Sequence, residues 1–274
     1  MLCELENIKL YYEILGKGIP ILMIHGFMPD HRVLKGCMEP IFQNRTGFKR
    51  IYFDLPGMGK TEGKELIQSS DEIFEIIIKF IKNIIPNEKF LIIGQSYGGY
   101  LTRGLLHKYY DEILGICLIC PLIKPNLKDR DLPELTPIVK NPTLIKKLDP
   151  QNRGEFEESA IIQSEYVWKR FKDEVLSGLK IADIKFLEKI YPNKYELSFD
   201  VDKLTIKFDR PTLFLLGRQD NSVGYRNALK IIENFPRASY IVLDKAGHLL
   251  QIEQKEIFNI SVNEWLDRVL ETIN

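Results

Sequence analysis

Ser96 sits in Gly94-Gln95-Ser96-Tyr97-Gly98-Gly99, a G-x-S-x-G pattern. It falls where a short apolar run, Phe90–Ile93, gives way to a helical stretch, Tyr97–Tyr110. A serine on such a strand-to-helix turn has its hydroxyl exposed, and the flanking glycines remove Cβ atoms that would clash there. The helix beginning at Tyr97 also aims its positive end at the reacting group. A hydroxyl is a weak nucleophile at neutral pH, so it needs a base within reach and an acid to orient that base.

Four histidines could serve as the base: His25, His31, His107 and His248. His248 follows the run Tyr240–Leu243 in Asp244-Lys245-Ala246-Gly247-His248, ahead of the last helical stretch. Open α/β sheets place their ligands at such carboxyl ends of strands. His25 also follows a strand, Ile21–Ile24, and is read as holding its loop by hydrogen bonds rather than reacting. His31 either borders the pocket or begins a helix, with helix surface the first expectation, and His107 is expected on the solvated face of its helix. The acid is Asp220, in Gly217-Arg218-Gln219-Asp220-Asn221 after the run Thr212–Leu216. The loop after the strand ending near Pro121 has no carboxylate before Asp129, so it offers no rival. The chain order is therefore Ser96, Asp220, His248. An oxyanion needs two backbone donors, and these are assigned to the N–H groups of Tyr97 and Phe27. His25, Gly26, Gly94 and Gly98 are read as supports of the two motifs.

These residues need a scaffold of strands ending at one edge. The short apolar runs Ile21–Ile24, Lys49–Leu55, Phe90–Ile93, Ile113–Cys120, Thr212–Leu216 and Tyr240–Leu243 each stop at turn chemistry. They suit strands buried on both faces. Helical patterns stand between them at Ser69–Ile85, Tyr97–Tyr110, Ser222–Asn234 and Glu253–Leu270, which implies parallel βαβ units. Cys3–Leu15 alternates as an antiparallel hairpin or meander would. From Ile123 to about Lys203 no buried strand is apparent, and Glu155–Lys180 and Ile181–Ile190 read as helical. A helical insertion placed there, after the strand that follows the serine, suits a lid. Its aromatics Tyr166, Trp168 and Phe171 could border an apolar pocket, although core packing is the commoner use of such a stripe.

The sequence resembles the α/β-hydrolase fold family. The likeness rests on His25-Gly26-Phe27, Asp54-Leu55-Pro56-Gly57-Met58-Gly59, Gly94-Gln95-Ser96-Tyr97-Gly98-Gly99 and the Asp220…His248 pair, in family order and spanning nearly the whole chain outside the insertion. The resemblance implies an α/β fold: a mostly parallel eight-stranded sheet with helices on both faces and a helical cap inserted after strand 6. The divisions are a core at 1–122, a cap at 123–203 and the rest of the core at 204–274. It also implies that Asp54 supports the site rather than reacting. A serine nucleophile argues against the dehalogenase and epoxide-hydrolase branches, which use a carboxylate. His25-Gly26-Phe27 departs from the His-Gly-Gly-Gly of many lipases and the His-Gly-Gly-Pro of typical proline iminopeptidases.

Composition bounds the rest. The 274 residues suit one large domain or a domain with an insertion. Lys+Arg and Asp+Glu both number 38, which disfavours a nucleic-acid partner. The longest stretch free of Asp, Glu, Lys and Arg is Phe90–Thr102, 13 residues, short of the roughly 20 that a membrane span needs. Glu4, Glu6 and Lys9 interrupt any signal-peptide core, so a cytoplasmic location is expected. Cys3, Cys37, Cys117 and Cys120 are too few for a disulfide framework, and the CxxC they contain has no second metal-binding pair. Gly57-Met58-Gly59-Lys60-Thr61 lacks the first glycine of a phosphate-binding loop, because position 54 is Asp54. The chemistry uses side chains alone, so no cofactor and no metal is expected, and the partner is a small-molecule substrate. A serine hydrolase on a small carboxylic ester is the first expectation. Cleavage of a carbon–carbon bond beside a ketone, or of an N-terminal peptide bond, are the alternatives. The last would need a cap carboxylate such as Glu157, Glu158 or Glu165. A ligand-binding protein that kept the fold without turnover is the non-enzymatic alternative.

Overall fold

The computed structural model describes residues 1–273. Its strands are β1 (Leu2–Leu5), β2 (Ile8–Leu15), β3 (Ile19–Ile24), β4 (Phe48–Phe53), β5 (Phe90–Gln95), β6 (Ile113–Ile119), β7 (Thr212–Gly217) and β8 (Ala238–Leu243). They form one eight-stranded sheet in the order β1-β2-β4-β3-β5-β6-β7-β8. The pairs β1/β2 and β2/β4 are antiparallel and all the others are parallel. Every residue of β5 is buried, because neighbours flank it on both edges and helices cover both faces.

Helix α1 (Arg32–Phe42) packs beside α11 (Lys255–Ile273), and α11 also lies on β6 and β7. Trp265 of α11 is fully buried and donates to the Pro211 carbonyl at 2.9 Å. On the other face, α2 (Ser70–Ile84) and α3 (Tyr97–Tyr109) are joined by the Tyr97 hydroxyl, which donates to Ser70 Oγ at 2.6 Å. Asp71 and Glu72 open α2 and complement its dipole. Its inner face buries Ile73, Phe74, Ile77, Ile78 and Ile81, each worth roughly 1.5–3 kcal/mol.

Between β6 and β7 the chain forms α4 (Pro142–Lys147), α5 (Pro150–Ser159), α6 (Glu165–Phe171), a π-helical turn (Lys172–Leu176), α7 (Ser177–Leu179) and α8 (Ile184–Leu187). The one β pairing in this stretch among the described residues is a single bridge, Val139 to Ile162. Both ends of the insertion are pinned to α3 by Arg103. Its buried guanidinium donates to Asp202 at 2.6 Å and to the carbonyl oxygens of Leu122 and Ile123.

Three helical stretches differ from expectation. Glu155–Lys180 is interrupted at residues 160–164, where the N–H groups of Ile161 and Ile162 turn away to Glu253. Ser222–Asn234 shrinks to α9 (Arg226–Leu229) and a 3-10 turn, Ile232–Asn234. Asp220 takes the N–H groups of Ser222 and Val223, and Gly224 is left-handed, so no helix can start before Arg226. The final stretch splits into α10 (Leu250–Glu253) and α11. Among the described residues no helix is long and apolar enough to cross a membrane.

Candidate active site

Ser96 occupies the junction of β5 and α3 with φ 54° and ψ −118°, a conformation unfavourable for a residue with a Cβ. The turn is held on both sides, because Ser96 N–H donates to the Ile119 carbonyl at 3.0 Å and its own carbonyl accepts from Leu122 N–H at 2.9 Å. The backbones crowd here. A Cβ on Gly98 would run into the Ile24 carbonyl, and one on Gly94 would lie 2.6 Å from the Gly98 oxygen. Only glycine permits that approach.

Asp220 and His248 come from the ends of β7 and β8. Asp220 Oδ2 is 2.8 Å from His248 Nδ1, while Oδ1 accepts from the N–H groups of Ser222 at 2.9 Å and Val223 at 3.0 Å. Burial pushes the Asp220 carboxyl up, but the His248 ring and the two N–H groups outweigh it and hold the group below its ordinary value. A carboxylate at Nδ1 fixes the ring so that Nε2 faces the other way, as a base would require. His248 Nε2 lies 3.3 Å from the amide nitrogen of Gln95, next to Ser96 in the chain. Among the described residues no hydrogen bond yet joins the Ser96 hydroxyl to His248; catalytic contacts of this kind are often loose without substrate. Gln95 is buried, and its Oε1 has no partner.

The loop after β3 faces the same turn. His25 is fully buried, with Nδ1 2.7 Å from the Gly26 carbonyl and Nε2 accepting from Leu55 N–H at 3.0 Å. Desolvation lowers its pKa, so it is a neutral tie between the loops after β3 and β4. Gly26 is seated against Gln95 and Ser96, a Cβ there lying 3.1 Å from Ser96 Cβ. Neither Phe27 N–H nor Tyr97 N–H has an acceptor within the protein among the described residues. For Tyr97 this follows from its place at the start of α3.

His31 is not on a helix surface, as expected, but buried. Its Nδ1 is 2.7 Å from Asp54 Oδ1 and its Nε2 3.3 Å from Glu13 Oε1. Asp54 also accepts from the N–H groups of His31 and Lys60 at 2.9 Å each. Three carboxylates lie within reach of the ring: Glu13, Asp54 and Asp30. His107 is exposed and contacts the Val201 carbonyl at 3.1 Å. All four cysteines are free and buried.

Of the aromatics named from the sequence, Trp168 and Phe171 pack into the insertion's own core, and none meets Phe27. Trp168 and the fully buried Phe171 pack on Phe156, while Tyr166 is exposed under Lys255. The rings that do meet Phe27 are Tyr195 at 4.9 Å, Tyr97 at 5.4 Å and Tyr191 at 6.2 Å. Tyr191 and Tyr195 carry no sequence signal, since they lie outside any amphipathic helix. Among the described residues two groups gather potential metal donors, Cys120–Asp220–His248 and Asp30–His31–Asp54. In both the carboxylate and imidazole are already bonded to each other, and burial pushes the Cys120 thiol well up.

The family model described as the alpha/beta hydrolase fold matches residues 19–255. The chain belongs to the α/β hydrolase fold family. This α/β hydrolase is 22% identical to a 2-hydroxy-6-oxononadienedioate/2-hydroxy-6-oxononatrienedioate hydrolase of Pseudomonas putida, over 95% of this chain and 92% of that one. It is 20% identical to a proline iminopeptidase of Saccharolobus solfataricus, over 81% of this chain and 77% of the relative. Among solved structures it is similar to an alpha/beta superfamily hydrolase from Oenococcus oeni, with a TM-score of 0.87, 28% identity and 96% of each chain covered.

Proposed function

We propose that this α/β hydrolase is a serine hydrolase that works through an acyl-enzyme. The observation that carries the reading is the 2.8 Å Asp220–His248 contact, with the ring's far nitrogen turned toward the Gln95–Ser96 turn. Ser96 Oγ attacks a carbonyl carbon while His248 Nε2 takes its proton. Asp220 holds the ring and stabilises its charged form. The N–H groups of Phe27 and Tyr97 receive the oxyanion, each worth roughly 3 kcal/mol in the transition state. His248 returns the proton to the leaving group, and water then releases the acyl group by the same route in reverse.

Residues 123–203 act as the cap, a role supported by Tyr191 and Tyr195 packing on Phe27. The substrate is a small-molecule carboxylic ester whose acyl group meets these rings. A second reading, cleavage of a carbon–carbon bond beside a ketone, is favoured by the Pseudomonas putida relative, whose name specifies such a dienedioate substrate. Aminopeptidase work is less well supported, because Glu158 and Glu165 are exposed and Glu157 borders a surface groove with Lys140 and Lys146.

The test is p-nitrophenyl ester hydrolysis over a series of acyl lengths, with wild type and Ser96→Ala compared. Turnover in the wild type and its near-complete loss in a folded Ser96→Ala is the expected result, and the preferred length sizes the acyl site. An Ser96→Ala protein with full activity would sink the nucleophile. A wild type inert to esters but active on a diketone shifts the substrate to the second reading.

A further inference from the structure

We propose that Glu253 is a positioning residue for His248, its ionised carboxylate tying the Ile161–Ile162 turn of the insertion to the backbone just ahead of the base. The inference rests on the serine-hydrolase reading of His248. Glu253 ends α10, five residues after His248, and is buried. One oxygen accepts from Ile161 N–H at 2.6 Å and Ile162 N–H at 3.2 Å. The other accepts from Gly247 N–H at 2.7 Å. Gly247 is held on its other sides as well. Its carbonyl accepts from the Cys120 thiol at 3.6 Å. A Cβ at Gly247 would stand 2.6 Å from Ile161 Cγ1, so the insertion packs directly on the residue before His248.

Three N–H donors converge on one side chain, and only a carboxylate has acceptors on both oxygens to serve them. A glutamine must present its donor-only NH2 on one side and so release either Gly247 or the Ile161–Ile162 turn, and a protonated glutamate places an O–H donor on one side and accepts only weakly there. Among the described residues no lysine or arginine pairs with Glu253. Burial therefore pushes its pKa to about 7; the three N–H groups oppose the shift and Asp220 adds to it. The titratable groups facing it are Asp220 and Cys120, from the ends of β7 and β6. The tie thus has a closed, ionised state and an open, neutral one, and it couples seating of the insertion to the placement of His248.

The experiment compares wild type, Glu253→Gln and Glu253→Asp by two readouts. The first is labelling of Ser96 by a fluorophosphonate, with the maximal rate and the half-saturating concentration measured separately. The second is amide hydrogen exchange at Ile161, Ile162 and Gly247. In Glu253→Gln the maximal labelling rate should fall about 10- to 100-fold with little change in half-saturation, as a displaced catalytic group produces. The three amides should lose protection together while Leu91–Ile93 keep theirs, and Glu253→Asp should recover part of the rate. A folded Glu253→Gln that labels at the wild-type rate overturns the proposal, as does faster exchange at Ile161 with Gly247 unchanged. If Glu253→Gln does not fold, exchange in the wild type decides. Joint loss of protection at the three amides between about pH 8 and about pH 5.5 supports the tie, and unchanged protection at Gly247 overturns it. A wild type that never labels removes the serine-hydrolase reading, while the exchange readout still decides whether the tie exists.

Discussion

His248 and His31 each lean on a buried aspartate, Asp220 at 2.8 Å and Asp54 at 2.7 Å, and both pairs lie beyond the carboxyl ends of strands. Chemically the two pairs are the same. They differ in what the second ring nitrogen meets. His31 Nε2 faces Glu13, which Lys35 and Tyr11 hold in turn. Burial pushes Glu13 up, yet those partners win and bring it down to about 2, so a fixed negative charge closes that side of the ring. His248 Nε2 faces a neutral amide beside Ser96, and its side chain is 21% exposed against 5% for His31. An Asp–His pair can work as a base only where its outer nitrogen meets a neutral neighbour beside a nucleophile; held between two carboxylates, it is a structural clamp.

Replacing each histidine should separate the two most widely. His248→Ala is expected to lower kcat by at least about 10⁴-fold, and to cost less stability than His31→Ala because Asp220 keeps the N–H groups of Ser222 and Val223. His31→Ala should keep kcat within a few-fold and lose about 3 kcal/mol of stability in urea, because it leaves the buried Asp54 carboxylate without its ring partner. Equal loss of activity from both variants would break the comparison. The aspartates should follow the same division with a smaller effect. Asp220→Asn should cost on the order of 10³–10⁴-fold in kcat, as loss of the orienting carboxylate does in known Ser-His-Asp triads. Asp54→Asn should act on stability alone, since its oxygens serve His31 and Lys60. The smallest effect is expected from Glu13→Gln. It opens the far side of His31 without supplying a nucleophile, so activity should not change and the unfolding free energy should drop by about 1 kcal/mol, Glu13 being partly exposed.

Acid should act on the Asp220 pair with a definite sign. Its carboxyl is held below the ordinary value in the fold, so its contribution is fully present above the unfolded value and is lost as pH falls through the lowered one. Urea titrations of wild type and Asp220→Asn should therefore converge in acid and diverge toward neutrality.

The strands and the Ser96 turn were legible because they are local. Phe90–Ile93 is a run of apolar residues stopped by glycine, and β5 extends it by only two residues. The placement of Asp220 and His248 beyond the ends of neighbouring strands was legible because each follows such a run. What sequence could not show is set by packing between distant segments. Arg103 meets Asp202 99 residues away, and neither residue's neighbours mark it. His31 sits at a helix start that reads as solvated, and only the fold brings Glu13 and Asp54 to it. The break at residues 160–164 is invisible in the helical pattern, since Glu253 creates it from 92 residues away. Tyr191 and Tyr195 become neighbours of Phe27 only once the insertion is pinned at both ends.

The most direct test is to map where a fluorophosphonate attaches. Wild type, Ser96→Ala, His248→Ala and His31→Ala would be treated alike, weighed intact and sequenced by tandem mass spectrometry. One phosphonyl group per chain on Ser96 in wild type and His31→Ala, none in Ser96→Ala, and severely slowed labelling in His248→Ala is the predicted result. A wild-type protein that turns over ester while Ser96 stays unmodified, or one whose labelling needs His31 as much as His248, would contradict the account.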